Sequence, residues 1–123
     1  LGYAVGIAAR REDALKQVAA LHPGIKEIAR LDLKDTAESR FRATDLIERL
    51  GGVDLFVISA GTGSENPSLE WAPEADTIAV NVAGFTAMAT LAVEHFRQRG
   101  GGHLVGISSI AAIRGNGDAP AYG

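Results

Sequence analysis

The chain has 123 residues, 46% of them apolar, no cysteine and a net charge of −3. That length allows one domain with a real core, and the missing thiols exclude disulfides and thiolate metal sites. The acidic balance argues against a nucleic-acid surface or an anionic membrane as partner. His22, His95 and His103 are scattered without ligand spacing, so no metal site is expected. The longest uncharged run, residues 77–93, falls short of the ~20 apolar residues a bilayer span needs, and Thr77, Asn81, Thr86 and Thr90 interrupt it. With no basic stretch and apolar core at the N-terminus to mark a signal peptide, the expectation is a cytoplasmic protein with no membrane partner.

Residues 3–9 are small and apolar and predict a strand that Arg10 and Arg11 end. Residues 12–21 place Ala14, Leu15, Val18, Ala19 and Leu21 at helical spacing, and Pro23-Gly24 stops them. Residues 25–31 give a second strand, with Asp32 and Leu33 at its exit. Asp35 and Glu38 have the spacing of a capping box. The helix they open has Phe41, Leu46, Ile47 and Leu50 for its apolar face and Gly51-Gly52 for its stop. Residues 53–59 form the strongest strand, followed by Ala60, Gly61, Thr62 and Gly63, small enough for a ligand to lie against the backbone. A loop over residues 64–73 carries Trp71. Pro73 can open a helix that runs to about Arg99, with Glu74 and Asp76 suited to its positive end and Gly100, Gly101 and Gly102 breaking it. Residues 103–107 read as a strand buried on both faces, ended by Ser108 and Ser109. Gly115, Asn116, Gly117, Asp118 and Pro120 then form a loop that delivers Tyr122. Alternating β and α elements predict a single α/β domain over residues 1–123, a doubly wound, Rossmann-like parallel sheet in three layers.

Ligands of such sheets sit at the carboxyl ends of the strands. A serine hydroxyl there, with a phenol returned by a loop, can handle protons; the plainer alternative is a strand end and a groove plug. Ile107-Ser108-Ser109, with Tyr122 thirteen residues after Ser109, resembles the Ser…Tyr half of the short-chain dehydrogenase/reductase active site. Four further stretches are similar to that family, in order. Residues 2–11, Gly-Tyr-x-Val-x-x-x-Ala-Arg-Arg, resemble its second strand and exit, and Leu31-Asp32-Leu33 its Asp-(Val/Leu) beside the adenine. Residues 53–61 resemble its Asp-x-x-Val-Asn-Asn-Ala-Gly, and Val80-Asn81-Val82-x-Gly84 its Val-Asn-x-x-Gly.

The resemblance implies hydride transfer between a nicotinamide cofactor and a small alcohol or carbonyl substrate. Ser109 would hold the substrate oxygen and Tyr122 would exchange its proton. Asn81, through side chain or backbone, would hold a water on the proton path; the alternative is an Asn on an exposed helix face. Asp32 would accept from the adenine amino group, with Leu33 beside it, or is simply a turn residue. Ser59, Ala60 and Gly61 would lie under the ribose next to the nicotinamide. Ile58-Ser59 depart from the usual Asn-Asn, and one hydroxyl replaces only part of an amide's donor–acceptor pair. Arg10 and Arg11 stand where the adenosine ribose meets the second strand, with no carboxylate before Glu12. Guanidinium there suits a 2′-phosphate, which favours NADP(H) over NAD(H); the alternative is two solvated arginines.

A free phenol titrates near about 10, so neutral-pH proton exchange needs a nearby cation. The family's lysine would fall beyond Gly123. The family's first strand and glycine-rich phosphate loop also have no counterpart in residues 1–123, which would leave unpaired backbone at the sheet's centre. The expectation is therefore a partial domain from a protein about twice as long, lacking that first strand and the C-terminal part and inactive by itself. A homodimer or homotetramer through helix 75–99 is expected, because residues 77–93 are apolar nearly all round. The competing reading is a catalytically inactive module of the same fold with a binding or regulatory role. A flavodoxin-like receiver or methyltransferase domain would leave Asn81, Ser109 and Tyr122 unexplained together.

Overall fold

In the computed structural model, which describes residues 2–115 and 117–122, strands and helices alternate as expected. The order is β1 (Val5–Ala9), α1 (Glu12–Leu21), β2 (Ile25–Arg30), α2 (Thr36–Arg49), β3 (Leu55–Ile58), α3 (Trp71–Ile78), a π-helical turn (Ala79–Gly84), α4 (Phe85–Arg99) and β4 (His103–Gly106), then a 3₁₀ turn (Ile110–Ala112). β1 pairs in parallel with β2, Ile7 opposite Ile28 and Ala9 opposite Arg30. β3 pairs in parallel with β4, from Leu55 opposite His103 to Ile58 opposite Gly106. Among the described residues β1 and β3 do not pair, so the sheet is two separate ladders. This is the break expected at its centre.

The helix boundaries follow from local chemistry. The Asp35 carboxylate accepts from the Glu38 N–H at 3.0 Å, a cap that satisfies one of the donors left free at a helix start. At the other end Gly51 and Gly52, both at positive φ, donate to Glu48 and Ile47 carbonyls. α2 turns Ala43 and Ile47 inward against Leu31, Leu33, Ile58, Val80, Met88 and Leu91, and buries Leu46 beside Gly6 of β1. Each such buried aliphatic side chain contributes about 1.5–3 kcal/mol. Arg40 ties α2 to α4 by donating to the Ala87 carbonyl, Thr90 Oγ1 and Glu94 Oε2 at 2.7–2.9 Å.

Four expectations need correction. Phe41 is 71% exposed: with 3.6 residues per turn it points away from the face that Ala43, Leu46, Ile47 and Leu50 share. In α1 only Leu15 is buried, and Val18 and Leu21 face outward. β4 is exposed along its length, because among the described elements only β3 and α4 cover it. The third helix opens at Trp71, with Pro73 inside its first turn, where a missing N–H leaves no intrahelical bond broken. Trp71–Arg99 is long and apolar enough to cross a membrane by length and composition. It nonetheless buries Val80, Met88, Leu91, Ala92 and Phe96 within the protein.

Candidate active site

The chain leaving β3 and the loop that carries Tyr122 meet over a run of small residues. Residues 61–65, Ala119 and Tyr122 line an open cleft of about 510 Å³. The Tyr122 ring lies so close on Gly63 that a Cβ there would stand 2.6 Å from the ring and 3.1 Å from the tyrosine Cβ. Gly63 therefore permits an approach that no other residue allows.

Asn81 holds this loop from below. Its side-chain amide accepts from the Thr62 N–H at 2.9 Å and donates to the Thr62 carbonyl at 2.7 Å, so both backbone groups of one loop residue are satisfied by one side chain. The π-helical turn around Asn81 is an insertion in the helix of the kind often found at functional positions. Gly84 completes it: a Cβ there would meet the Leu33 Cβ at 2.6 Å and the Leu33 carbonyl at 3.0 Å. The Asn81 side chain thus gives one acceptor and one donor to Thr62, and its amide keeps one further of each.

The remaining sequence-derived positions lie at strand ends. Ser59, Ala60 and Gly61 leave β3 exposed, their backbone unobstructed by large side chains. Asp32 is exposed after β2, with its Oδ1 accepting from the Lys34 N–H at 3.1 Å in a local turn, while Leu33 is buried in the core. Arg10 and Arg11 are exposed between β1 and α1, and among the described residues no carboxylate pairs with either guanidinium. Ser109 sits after β4, half-buried, its Oγ accepting from the Ala111 N–H at 3.2 Å. It does not line the cleft under Tyr122. That acceptor role still leaves its O–H as a donor.

The sequence reading missed Thr62, Asn66 and Glu74 as parts of this site. Asn66 is 4% exposed, and its Nδ2 donates to the Glu70 carbonyl at 2.8 Å and to Glu74 Oε1 at 2.6 Å. Its Oδ1 accepts from the Glu70 N–H at 2.9 Å. The second Glu74 oxygen, Oε2, accepts from the Ala121 N–H at 2.7 Å, one residue before Tyr122. An Asn a few residues after a glycine run was the available signal; its partners, eight and fifty-odd positions on, were not.

A family model described as short chain dehydrogenase matches residues 1–123. The chain belongs to the short-chain dehydrogenase family. An uncharacterized oxidoreductase of Mycobacterium tuberculosis is 33% identical to it over 122 residues, covering 93% of this chain and 48% of that protein. A 7α-hydroxysteroid dehydrogenase complexed with NADH and 7-oxo glycochenodeoxycholic acid superposes with a TM-score of 0.85 at 27% identity, over 94% of this chain and 47% of that one. An actinorhodin polyketide ketoreductase with NADPH shares the fold, with a TM-score of 0.86 at 23% identity over 97% and 48%. The chain thus spans about half the length of these short-chain dehydrogenase relatives. Nicotinamide cofactors accompany both solved relatives, one of each phosphate state.

Proposed function

We propose that the protein is an NADP(H)-preferring oxidoreductase, cytoplasmic, that interconverts a small alcohol and its carbonyl compound. The observation that carries this reading is the cleft in which Tyr122 lies on Gly63, at the exit of β3, in a short-chain dehydrogenase chain. The residues fit a dinucleotide. Two guanidiniums without carboxylate partners stand at the β1 exit, and residues 59–61 present exposed main chain with nothing larger than a serine side chain. Arg10 and Arg11 would hold the 2′-phosphate, Asp32 and Leu33 the adenine edge, and Ser59, Ala60 and Gly61 the ribose beside the nicotinamide. The bound nicotinamide supplies the hydride donor or acceptor.

Within this chain, Tyr122 gives its proton to the carbonyl oxygen on reduction and takes it back on oxidation. Ser109 donates its O–H to that same oxygen, fixing the substrate against the phenol. Asn81, at the π-helical turn, would hold a water behind the site through its side chain or main chain. Support for assembly comes from Val82 and Val93, which α4 and its π turn leave 56% and 43% exposed; a second copy packed on helix 75–99 would cover them. Sedimentation as a strict monomer would refute that assembly.

The test mixes the full-length protein with NADPH or NADH and a panel of ketones and aldehydes. NADPH oxidation that Tyr122→Phe lowers by about 10²–10⁴-fold supports the reading. Turnover unaffected by Tyr122→Phe refutes the tyrosine's role, and a clear NADH preference refutes the cofactor assignment. Cofactor binding with no turnover on any carbonyl would favour the inactive binding module instead.

A further inference from the structure

We propose that Glu74 is a positioning residue for Tyr122; this rests on the proton-transfer reading of Tyr122 given above. The Tyr122 N–H donates to the Ala119 carbonyl at 3.1 Å in a local turn, and three longer-range contacts hold that turn. The Tyr122 ring rests on Gly63. Asp118, four residues earlier, accepts through its carbonyl from the Asn66 N–H. Ala121, immediately before it, donates its N–H to Glu74 Oε2 at 2.7 Å. The last two contacts come from one arm, residues 66–74, and that arm is held to itself by Asn66. The buried Asn66 amide joins the Glu70 main chain through both of its ends and reaches Glu74 Oε1 at 2.6 Å. The turn that folds Glu70 back on Asn66 places Leu69 at a φ of 53°, in the left-handed region that non-glycine residues occupy at a cost of roughly 1 kcal/mol. The arm thus carries local strain at Leu69, between its two contacts with the tyrosine loop at Asn66 and Glu74.

The chemistry calls for a carboxylate. Glu74 receives an N–H on each of its two oxygens, one from Asn66 and one from Ala121, and an ionised carboxylate is acceptor-only. A glutamine of the same shape has a donor at one end. Either way round, it faces an N–H with another N–H: Ala121 loses its acceptor or Asn66 loses one. An aspartate keeps the acceptors and falls a methylene short of spanning both. No helix-dipole role explains this arrangement, because both oxygens point to partners outside the first turn of α3. What Glu74 holds is the main chain from which the reacting phenol hangs, and a displacement of about 1 Å at a reacting group can cost on the order of 10²-fold in rate.

The test uses the full-length protein with NADPH and a carbonyl compound that the unmodified protein reduces. Glu74→Gln is expected to lower kcat about 10- to 100-fold while the Kd for NADPH, read by fluorescence, stays within about two-fold. In the Tyr122→Phe background the same substitution is expected to leave the residual rate unchanged, because Glu74 acts only through the phenol. An equal loss in both backgrounds, or a wild-type kcat for Glu74→Gln, overturns the proposal. If Tyr122→Phe itself leaves kcat intact, the proton-transfer reading has failed and takes this inference with it. Hydrogen exchange on the unmodified protein gives a check that needs no folded variant. The Ala121 amide is expected to be protected, and exchange at the rate of an unstructured peptide overturns the assignment.

Discussion

The β1 and β2 exits and the β3 exit are built on opposite principles. At the first two, the side chains of Arg10, Arg11 and Asp32 stand exposed: among the described residues neither guanidinium has a carboxylate partner, and the Asp32 carboxylate takes only the Lys34 N–H, while the main chain is held by Arg30 Nε on the Arg10 carbonyl and Ser39 Oγ on the Asp32 carbonyl. At the β3 exit a chain of side-chain bonds ties distant loops together: Thr62 to Asn81 by two bonds, Asn66 to Glu70 and Glu74, and Ala121 to Glu74. The contrast matches two tasks. Holding an anionic group needs charge of the right sign within reach, which exposed guanidiniums supply. Placing a proton donor needs fixed geometry, which buried, mutually satisfied hydrogen bonds provide.

The comparison breaks most visibly at Tyr122. Tyr122→Phe removes the proposed proton donor and is expected to lower kcat by about 10²–10⁴-fold with the Kd for NADPH unchanged, as measured by steady-state turnover and fluorescence titration. Gly63→Ala attacks the same end by packing alone. The added methyl would stand 2.6 Å from the Tyr122 ring and 3.1 Å from its Cβ, so the phenol must move as a whole. A loss of roughly 10²-fold in kcat is expected, again with cofactor binding retained.

Changes at the loose end should show the reverse pattern. Replacing Arg10 and Arg11 together by glutamate is expected to raise KM for NADPH about 10- to 100-fold, the worth of one or two charge-assisted hydrogen bonds. KM for NADH and kcat with either cofactor should move by no more than about two- or three-fold. Equal effects on both cofactors would remove the 2′-phosphate from the account.

Gly84→Ala sharpens the comparison by touching the brace without touching the cleft. The methyl would press on the Leu33 Cβ and carbonyl, backbone and near-backbone atoms that cannot swing aside. A loss of about 1–3 kcal/mol of stability is expected in denaturant unfolding. The smallest effect belongs to the exposed pair on α1. Lys16, 2.7 Å away, holds the Glu12 carboxyl below its usual range, chiefly by a hydrogen bond and then by charge. Since the folded value is the lower one, this stabilisation is present above the ordinary glutamate range and is lost as pH falls through the lowered value. Glu12→Gln should flatten that acid-side decline slightly in thermal melts and leave stability near neutrality almost unchanged.

Much of this architecture is legible in the sequence because it is periodic or punctuated. The 2-to-3.6 alternation, the Asp35 cap and the glycine pairs at 51–52 and 100–101 place the elements within two residues in most cases. Phe41 misled because apolar character was read without its angle around the helix. The Asn81–Thr62 bonds at the π-helical turn were invisible because they join residues nineteen positions apart. The Glu74 brace was hidden for the same reason: an acidic residue in a first turn has a sufficient local explanation, and its actual partner lies 47 positions away. Local patterns specify elements; contacts between loops depend on how those elements are stacked.

The most direct test of the central claim, that a braced β3 exit carries the proton donor and a loose β1 exit carries the phosphate, is a crystal structure of the full-length protein with NADP(H) bound. The account predicts the Tyr122 hydroxyl within hydrogen-bond reach of the nicotinamide ribose above residues 59–63, with the 2′-phosphate against Arg10 or Arg11. A cofactor bound with Tyr122 on the far side of that loop, or with its phosphate away from both arginines, would contradict it.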